Sequence, residues 1–143
     1  MNKIQVEIVV NGSLEKVWDF WNNPEKIKLW AFASDDWECP YAQNDLRVGG
    51  KFVTRMSAKD KSFGFDFSGT YNEVKEFEKI SYVMSENIND NEARKCEIIF
   101  KDIGDGKVKI IEIFDPENEN SEEMQKNGWQ SILNNFKKAV ERV

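Results

Sequence analysis

The last third of the chain constrains the fold most. Lys107 to Phe114 has the character of a strand and stops at Asp115-Pro116. An acidic stretch follows, and Ser121 to Val143 then reads as one long amphipathic helix. At about 100° per residue, Gln125, Gly128, Trp129, Ile132, Leu133, Phe136, Ala139, Val140 and Val143 share one face. Glu122 and Glu123 in the first turn, with Lys137, Lys138 and Arg142 near the end, suit the helix dipole. A terminal helix with such a stripe must bury it against another layer. The strand before it supplies a sheet, and a sheet wrapped around one helix encloses a cavity.

The rest of the chain provides that sheet. Ile4, Val6, Ile8 and Val10 alternate with Lys3, Gln5, Glu7 and Val9 and predict a half-buried strand. Asn11-Gly12 ends it, and Ser13 caps a helix with Leu14, Val17, Trp18 and Trp21 on one face. Asn23-Pro24 starts a second, short helix carrying Ile27, Leu29 and Trp30. From Asp35 the period becomes two. Trp37 to Tyr41 reads as a short strand broken by Pro40. Strands follow around Phe52, Thr54 and Met56, around Phe63, Phe65 and Phe67 on to Val74, around Ile80 and Tyr82, and around Cys96, Ile98 and Phe100. Gly104-Asp105-Gly106 is a hairpin signal leading into the last strand. There, Ile110-Ile111 breaks the alternation, which implies a bulge or burial of both faces. The expected order is β-α-α-β-β-β-β-β-β-α, an α+β chain with a consecutive antiparallel sheet. No linker or repeat interrupts the 143 residues, so one domain spanning 1–143 is expected.

Composition excludes several function classes. Histidine is absent, which removes Ser-His-Asp and Cys-His catalysis and every His-ligated metal site. No metal and no tightly bound cofactor is expected. The net charge of -6, with scattered lysines, argues against nucleic-acid and anionic-membrane partners. No apolar run approaches the roughly 20 residues of a membrane helix. Met1-Asn2-Lys3 runs into a strand pattern and not into an apolar leader, so a cytoplasmic location is expected. Cys39 and Cys96 lie far apart without a CxxC spacing and are expected to be unbridged.

Three segments resemble a known family. Asn44-Asp45-Leu46-Arg47-Val48-Gly49-Gly50-Lys51-Phe52 is similar to the glycine-pair strand opening of the Aha-like family. Members of that family are homologues of the C-terminal domain of the activator of the ninety-kilodalton heat-shock chaperone. Phe65 to Val74 resembles the family's next strand. Phe114-Asp115-Pro116-Glu117, followed by Gln125, Gly128-Trp129, Ile132-Leu133 and Asn135-Phe136, resembles its C-terminal signature. The resemblance implies the helix-grip fold of the START-like (SRPBCC) superfamily, a curved antiparallel sheet around a long C-terminal helix. That superfamily includes lipid carriers, hormone receptors, cyclases and chaperone activators, so fold alone does not assign a function.

Candidate site residues follow from strand parity and the helix stripe. A cavity lined by Trp30, Trp37, Phe52, Phe67, Tyr82, Trp129, Leu133 and Phe136 is expected, with Trp30 and Trp37 at its mouth. Gln125 and Glu112 are polar residues among apolar neighbours. They satisfy each other, present a polar anchor to a ligand, or lie at a wet edge. Mid-helix Gly128 is expected to mark close approach of helix to sheet. Asp45 and Arg47 are placed to pair, with the glycines giving backbone freedom and not a phosphate loop. Asp35, Asp36, Glu38, Asp66 and Glu112 are the carboxylates available to a general acid or base.

Three functional classes are expected in order: a binder of a small hydrophobic or amphipathic molecule, a module docking on a chaperone or regulatory partner, and a cyclase- or hydrolase-type enzyme using cavity carboxylates or Tyr82. A filled interior favours the second. An open aromatic pocket favours the first, and a desolvated carboxylate in such a pocket favours the third.

Overall fold

The computed structural model describes residues 3–142. The elements run β1 (Ile4–Asn11), α1 (Leu14–Asn22), α2 (Pro24–Ile27), β2 (Trp37–Asn44), β3 (Lys51–Ala58), β4 (Gly64–Lys75), β5 (Lys79–Val83), β6 (Lys95–Gly104), β7 (Lys107–Phe114) and α3 (Glu122–Arg142). This is the order expected from the sequence. The strands form one curled antiparallel sheet in the order β1-β7-β6-β5-β4-β3-β2. The first strand thus pairs with the last, and everything between is a meander.

Local signals place the elements. Ser13 accepts a hydrogen bond from the Lys16 amide at 3.1 Å and caps α1. Asn23 caps α2 with Pro24 just inside it. Asp105 and Gly106 both take positive φ, 57° and 70°, as the two-residue turn between β6 and β7 requires. Ser121 caps α3 by accepting from the Met124 amide at 3.1 Å. Val143, expected on the buried face of this helix, lies outside the described residues.

Two strands differ from the sequence reading. Pro40 does not end β2. The strand runs on to Asn44, and the pairing with β3 shifts register between Glu38 and Tyr41. Proline is tolerated there because β2 is an edge strand, where a missing N–H costs no inner ladder bond. In β7 the Ile110-Ile111 pair needs no bulge, since the register with β1 is unbroken. Ile111 is buried on the convex face while Val108, Ile110, Glu112 and Phe114 point inward. The glycine pair serves the β3 opening as expected. Gly49 has φ +84°, and a Cβ on Gly50 would sit 2.0 Å from the Asp45 carbonyl oxygen. Asp45 and Arg47 do pair, exposed, at 3.0 Å.

The interior is divided along α3. Its C-terminal half is solidly packed. Leu133, Phe136 and Val140 are fully buried. The Phe136 ring meets Trp21 at 5.0 Å and Trp30 at 4.9 Å, both edge-on. Polar contacts fix this half to β1. The Asn11 amide donates to Glu141 at 2.8 Å, and Lys137 donates to the Val9 carbonyl at 3.0 Å. Trp30 donates its indole N–H to the Phe20 carbonyl at 2.8 Å, tying the segment just after α2 to α1. Cys39 and Cys96 are buried, free thiols on β2 and β6.

Removing the ring at this junction should be costly. Phe136→Ala is expected to lower stability by about 3–5 kcal/mol, read from denaturant unfolding at neutral pH.

Candidate functional site

The N-terminal half of α3 stands over a hollow. A cavity of about 460 Å³ lies between this half-helix, the concave face of β3–β7 and the α2 region. Parity builds its floor. Phe52 and Thr54 from β3, Phe67 and Tyr71 from β4, Tyr82 from β5, Ile98 from β6 and Glu112 from β7 all point inward. The helix supplies Gln125, Gly128, Trp129 and Ile132 as the roof. Trp129 stacks on Phe114, with ring centres 3.8 Å apart and planes 8° from parallel. The Phe67 ring meets Trp129 edge-on at 6.0 Å. Phe52 and Tyr82 are 4.8 Å apart.

Eight of the ten residues singled out in the sequence line this one space: Trp30, Trp37, Phe52, Phe67, Tyr82, Glu112, Gln125 and Trp129. Leu133 and Phe136 do not. They lie on the same helical stripe, but α1 and α2 fill the interior at their level, and Ile132 takes the lining position. Trp30 is not at the mouth either. It is buried, with its indole nitrogen committed to Phe20, and forms the inner wall. Trp37 is half-exposed. With Phe65 at 6.1 Å and Phe63 at 6.0 Å, it forms an aromatic rim, Phe63 being 64% and Phe65 43% exposed. Of these three, Trp37 and Phe65 reach the cavity.

Sequence reasoning missed Trp21, Thr54, Tyr71, Ile98, Ile132 and Arg94. Thr54 and Tyr71 share strand parity with Phe52 and Phe67, so alternation alone could have found them, and Ile98 belongs to the alternating Cys96, Ile98 and Phe100 set of β6. Arg94 lies just before β6 in a loop without periodicity. Its Nε donates to the Asp115 carbonyl at 3.0 Å. Asp115 in turn accepts from Lys3 at 2.7 Å and from the Lys95 amide at 2.9 Å. Those contacts outweigh burial and hold its carboxyl below the usual range. The corner after β7 is thereby pinned, and Arg94 is held at the cavity wall.

The two polar residues have separate fates. Gln125 and Glu112 do not satisfy each other, and neither lies at a wet edge. Gln125 staples the β7–α3 loop. Its Oε1 accepts from the Glu117 amide at 2.8 Å, and its Nε2 donates to the carbonyls of Glu117 at 3.2 Å and Asn120 at 2.9 Å. Both amide hydrogens are thus used within the chain. Glu112 is 5% exposed. No described residue donates a hydrogen bond to it, and its sheet neighbours Val6 and Ile98 are apolar. Burial pushes its carboxyl up to about 8. Burial also pushes the neighbouring Tyr82 hydroxyl and Cys96 thiol well up, and the Glu112 charge adds to both. The other carboxylates are elsewhere. Glu38 pairs with Lys61 at 2.9 Å and Asp66 with Arg55 at 3.4 Å, while Asp35 and Asp36 are exposed. Among the described residues no cluster of His, Cys, Asp or Glu could hold a metal.

Gly128 also corrects the sequence reading. A Cβ there would meet nothing within 4 Å. The glycine does not let helix and sheet approach. It keeps the roof of the cavity clear.

Comparison with known proteins places the chain. The family model described as "Activator of Hsp90 ATPase homolog 1-like protein" matches residues 11–141. The chain belongs to this family. An AHSA1-like protein from Aeromonas hydrophila is 38% identical over 99% of this chain and 93% of its own, with a TM-score of 0.87. Chr148 from Cytophaga hutchinsonii is 47% identical over 99% and 94%, with a TM-score of 0.79. CV1439 from Chromobacterium violaceum shares the fold at 21% identity over 99% of both chains, with a TM-score of 0.82. No curated protein matches. The architecture is therefore the helix-grip, START-like one. No helix among the described residues is long and apolar enough to cross a membrane.

Two outcomes follow. Glu112 is neutral when folded up to about pH 8, against an ordinary value of 4.5 for a glutamate in water. Its folded value is raised, so the stability it contributes is present below the unfolded value and lost as pH climbs through this window. The loss should amount to a few kcal/mol, on the order of 1.4 kcal/mol per pH unit. Wild type compared with Glu112→Gln from pH 4 to 9 should show melting points diverging upward with pH, the variant being the more stable at pH 8. Gly128→Ala should raise stability by about 1 kcal/mol, because helix propensity improves and no contact is crowded. A lowered thermal midpoint would contradict this account of the glycine.

Proposed function

We propose that the protein binds a small amphipathic molecule in the cavity between the sheet and the N-terminal half of α3. The observation that carries this reading is a hollow of about 460 Å³ with a predominantly apolar lining rich in aromatic rings and one buried carboxyl without a hydrogen-bond donor in the chain. Natural ligand sites span about 300–1,000 Å³ and combine apolar walls with a few placed polar groups. Burial of apolar ligand area, at about 25 cal/mol per Å², would drive affinity. The rim of Trp37, Phe63 and Phe65 would meet the ligand first. We place the protein in the cytoplasm, a reading supported by two free, buried thiols on separate strands.

A second reading rests on Glu112 alone. A neutral, desolvated carboxyl next to Tyr82 is the kind of group that protonates a substrate in cyclase or hydrolase chemistry. It needs a second group to take or hold a proton. Tyr82 and Cys96 are both held neutral by burial. Binding therefore leads. Docking on a chaperone, as the family's description invites, is the weaker reading because the interior is not filled.

The test is intrinsic tryptophan fluorescence during titration with alkyl alcohols, fatty acids, amines and flavonoids, alongside native mass spectrometry of freshly purified protein. At least one probe class should give a saturable change. Gly128→Leu, which fills the roof, should weaken it tenfold or more while leaving the circular dichroism unchanged. Unsaturable responses to every class would remove the binding reading.

A further inference from the structure

Resting on that reading, we infer that the cavity selects an organic cation, an ammonium group on an alkyl or aromatic body, and that Glu112 is its counter-ion. The argument begins with what Glu112 lacks. A buried carboxylate is tolerated when it is paired and hydrogen-bonded. Here β1 presents Val6 and β6 presents Ile98 beside it, and no described residue donates to it. Tyr82 and Cys96 are near it but donate no hydrogen bond to it, and its open side is the cavity it lines. A residue needed only to accept a hydrogen bond from a neutral ligand could be a glutamine or threonine, without the cost of a desolvated acid. A carboxyl becomes useful when the occupant brings a positive charge.

Three further observations agree. The surrounding faces are aromatic, with Trp129, Phe67, Phe52, Tyr82 and Trp30 all lining the same space, and such rings attract cations. Arg94 is the one cation among the lining residues. It is engaged with the Asp115 carbonyl and does not pull the Glu112 titration downward, which burial alone determines. The other titratable groups lining this space are Tyr82 from β5, Tyr71 from β4 and Glu117 from the β7–α3 loop, while Cys96 from β6 lies outside the lining, paired across the sheet with Tyr82. Burial raises both tyrosines and the Cys96 thiol, so all three are neutral at physiological pH, and Glu117 is a second acid. α3 contributes no charged group to the lining, and β1 offers Val6. Anionic ligands meet only Arg94, while cations meet Glu112 and also Glu117, whose carboxylate already accepts from the Asn120 amide and side chain.

Binding a cation requires Glu112 to ionise. Because the empty site holds its proton up to about pH 8, ligand binding at pH 7 should release most of one proton. Affinity should rise about tenfold per pH unit between pH 6 and 7.5, the slope expected for release of one proton.

Isothermal titration calorimetry with octylamine, octan-1-ol and octanoate tests this, in buffers of different ionisation heat. The expected result is octylamine bound at least tenfold more tightly than octan-1-ol at pH 8, with the proton release and the pH slope above. Octan-1-ol should bind without a pH slope, and octanoate weakest. In Glu112→Gln the preference for the amine and its pH slope should disappear while octan-1-ol binding persists. The pH slope in the wild-type protein needs no variant to fold. Octan-1-ol or octanoate binding as tightly as octylamine, or octylamine affinity independent of pH, would overturn the cation assignment and leave the cavity reading standing. If none of the three binds at millimolar concentration, the cavity reading fails and the cation assignment with it.

Discussion

The molecule depends on how one helix is packed along its length. α3 is held at its C-terminal half by the Phe136–Trp21–Trp30 cluster and at its last turns by Lys137 and Glu141 on β1. Its other end is held by the Gln125 staple to the β7–α3 loop and by Trp129 on Phe114. With both ends fixed, the middle of the N-terminal half can span a hollow without collapsing into it. α1 and α2 fill only one end of the curled sheet. The hollow is therefore a consequence of where two short helices stop.

Glu112 shows what this hollow costs. β7 is flanked on both sides, so its inward residues are removed from water whatever their type. Val108, Ile110 and Phe114 gain from that, and Glu112 loses. A leucine there would extend the apolar floor and remove the pH-dependent loss of stability. Stability is commonly given up at functional sites, and a local rule broken without internal compensation is where function is to be sought.

Most of the fold was legible because it rests on two periodicities. The order of elements followed from these periodicities, and alternation placed Phe52, Phe67 and Tyr82 on the inward face, since a sheet with a buried face tolerates no slip of register. What was not legible was local or mutual. Pro40 looked like a strand end because edge position, which excuses it, is a property of the sheet and not of the segment. Leu133 and Phe136 looked like lining because a helix stripe does not reveal where its partner layer is hollow. Gln125 and Glu112 looked alike, two polar residues on apolar faces. Only the loop that folds back over Gln125 separates an amide satisfied within the chain from an acid that opens onto the cavity.

Gly128 makes the same point about the meaning of a residue. Glycine within a helix costs about 1 kcal/mol relative to alanine, and close packing is the usual compensation. Here the space around it is empty, so packing offsets nothing. The remaining gain is the volume itself. A side chain at this position would project into the same cavity that Trp129 and Ile132 line from the neighbouring turns. The glycine and the unpaired carboxyl are thus two unfavourable choices on opposite walls of one cavity. Each makes sense if the cavity is meant to be occupied, and an occupant that reaches both the helix roof and Glu112 would offset both.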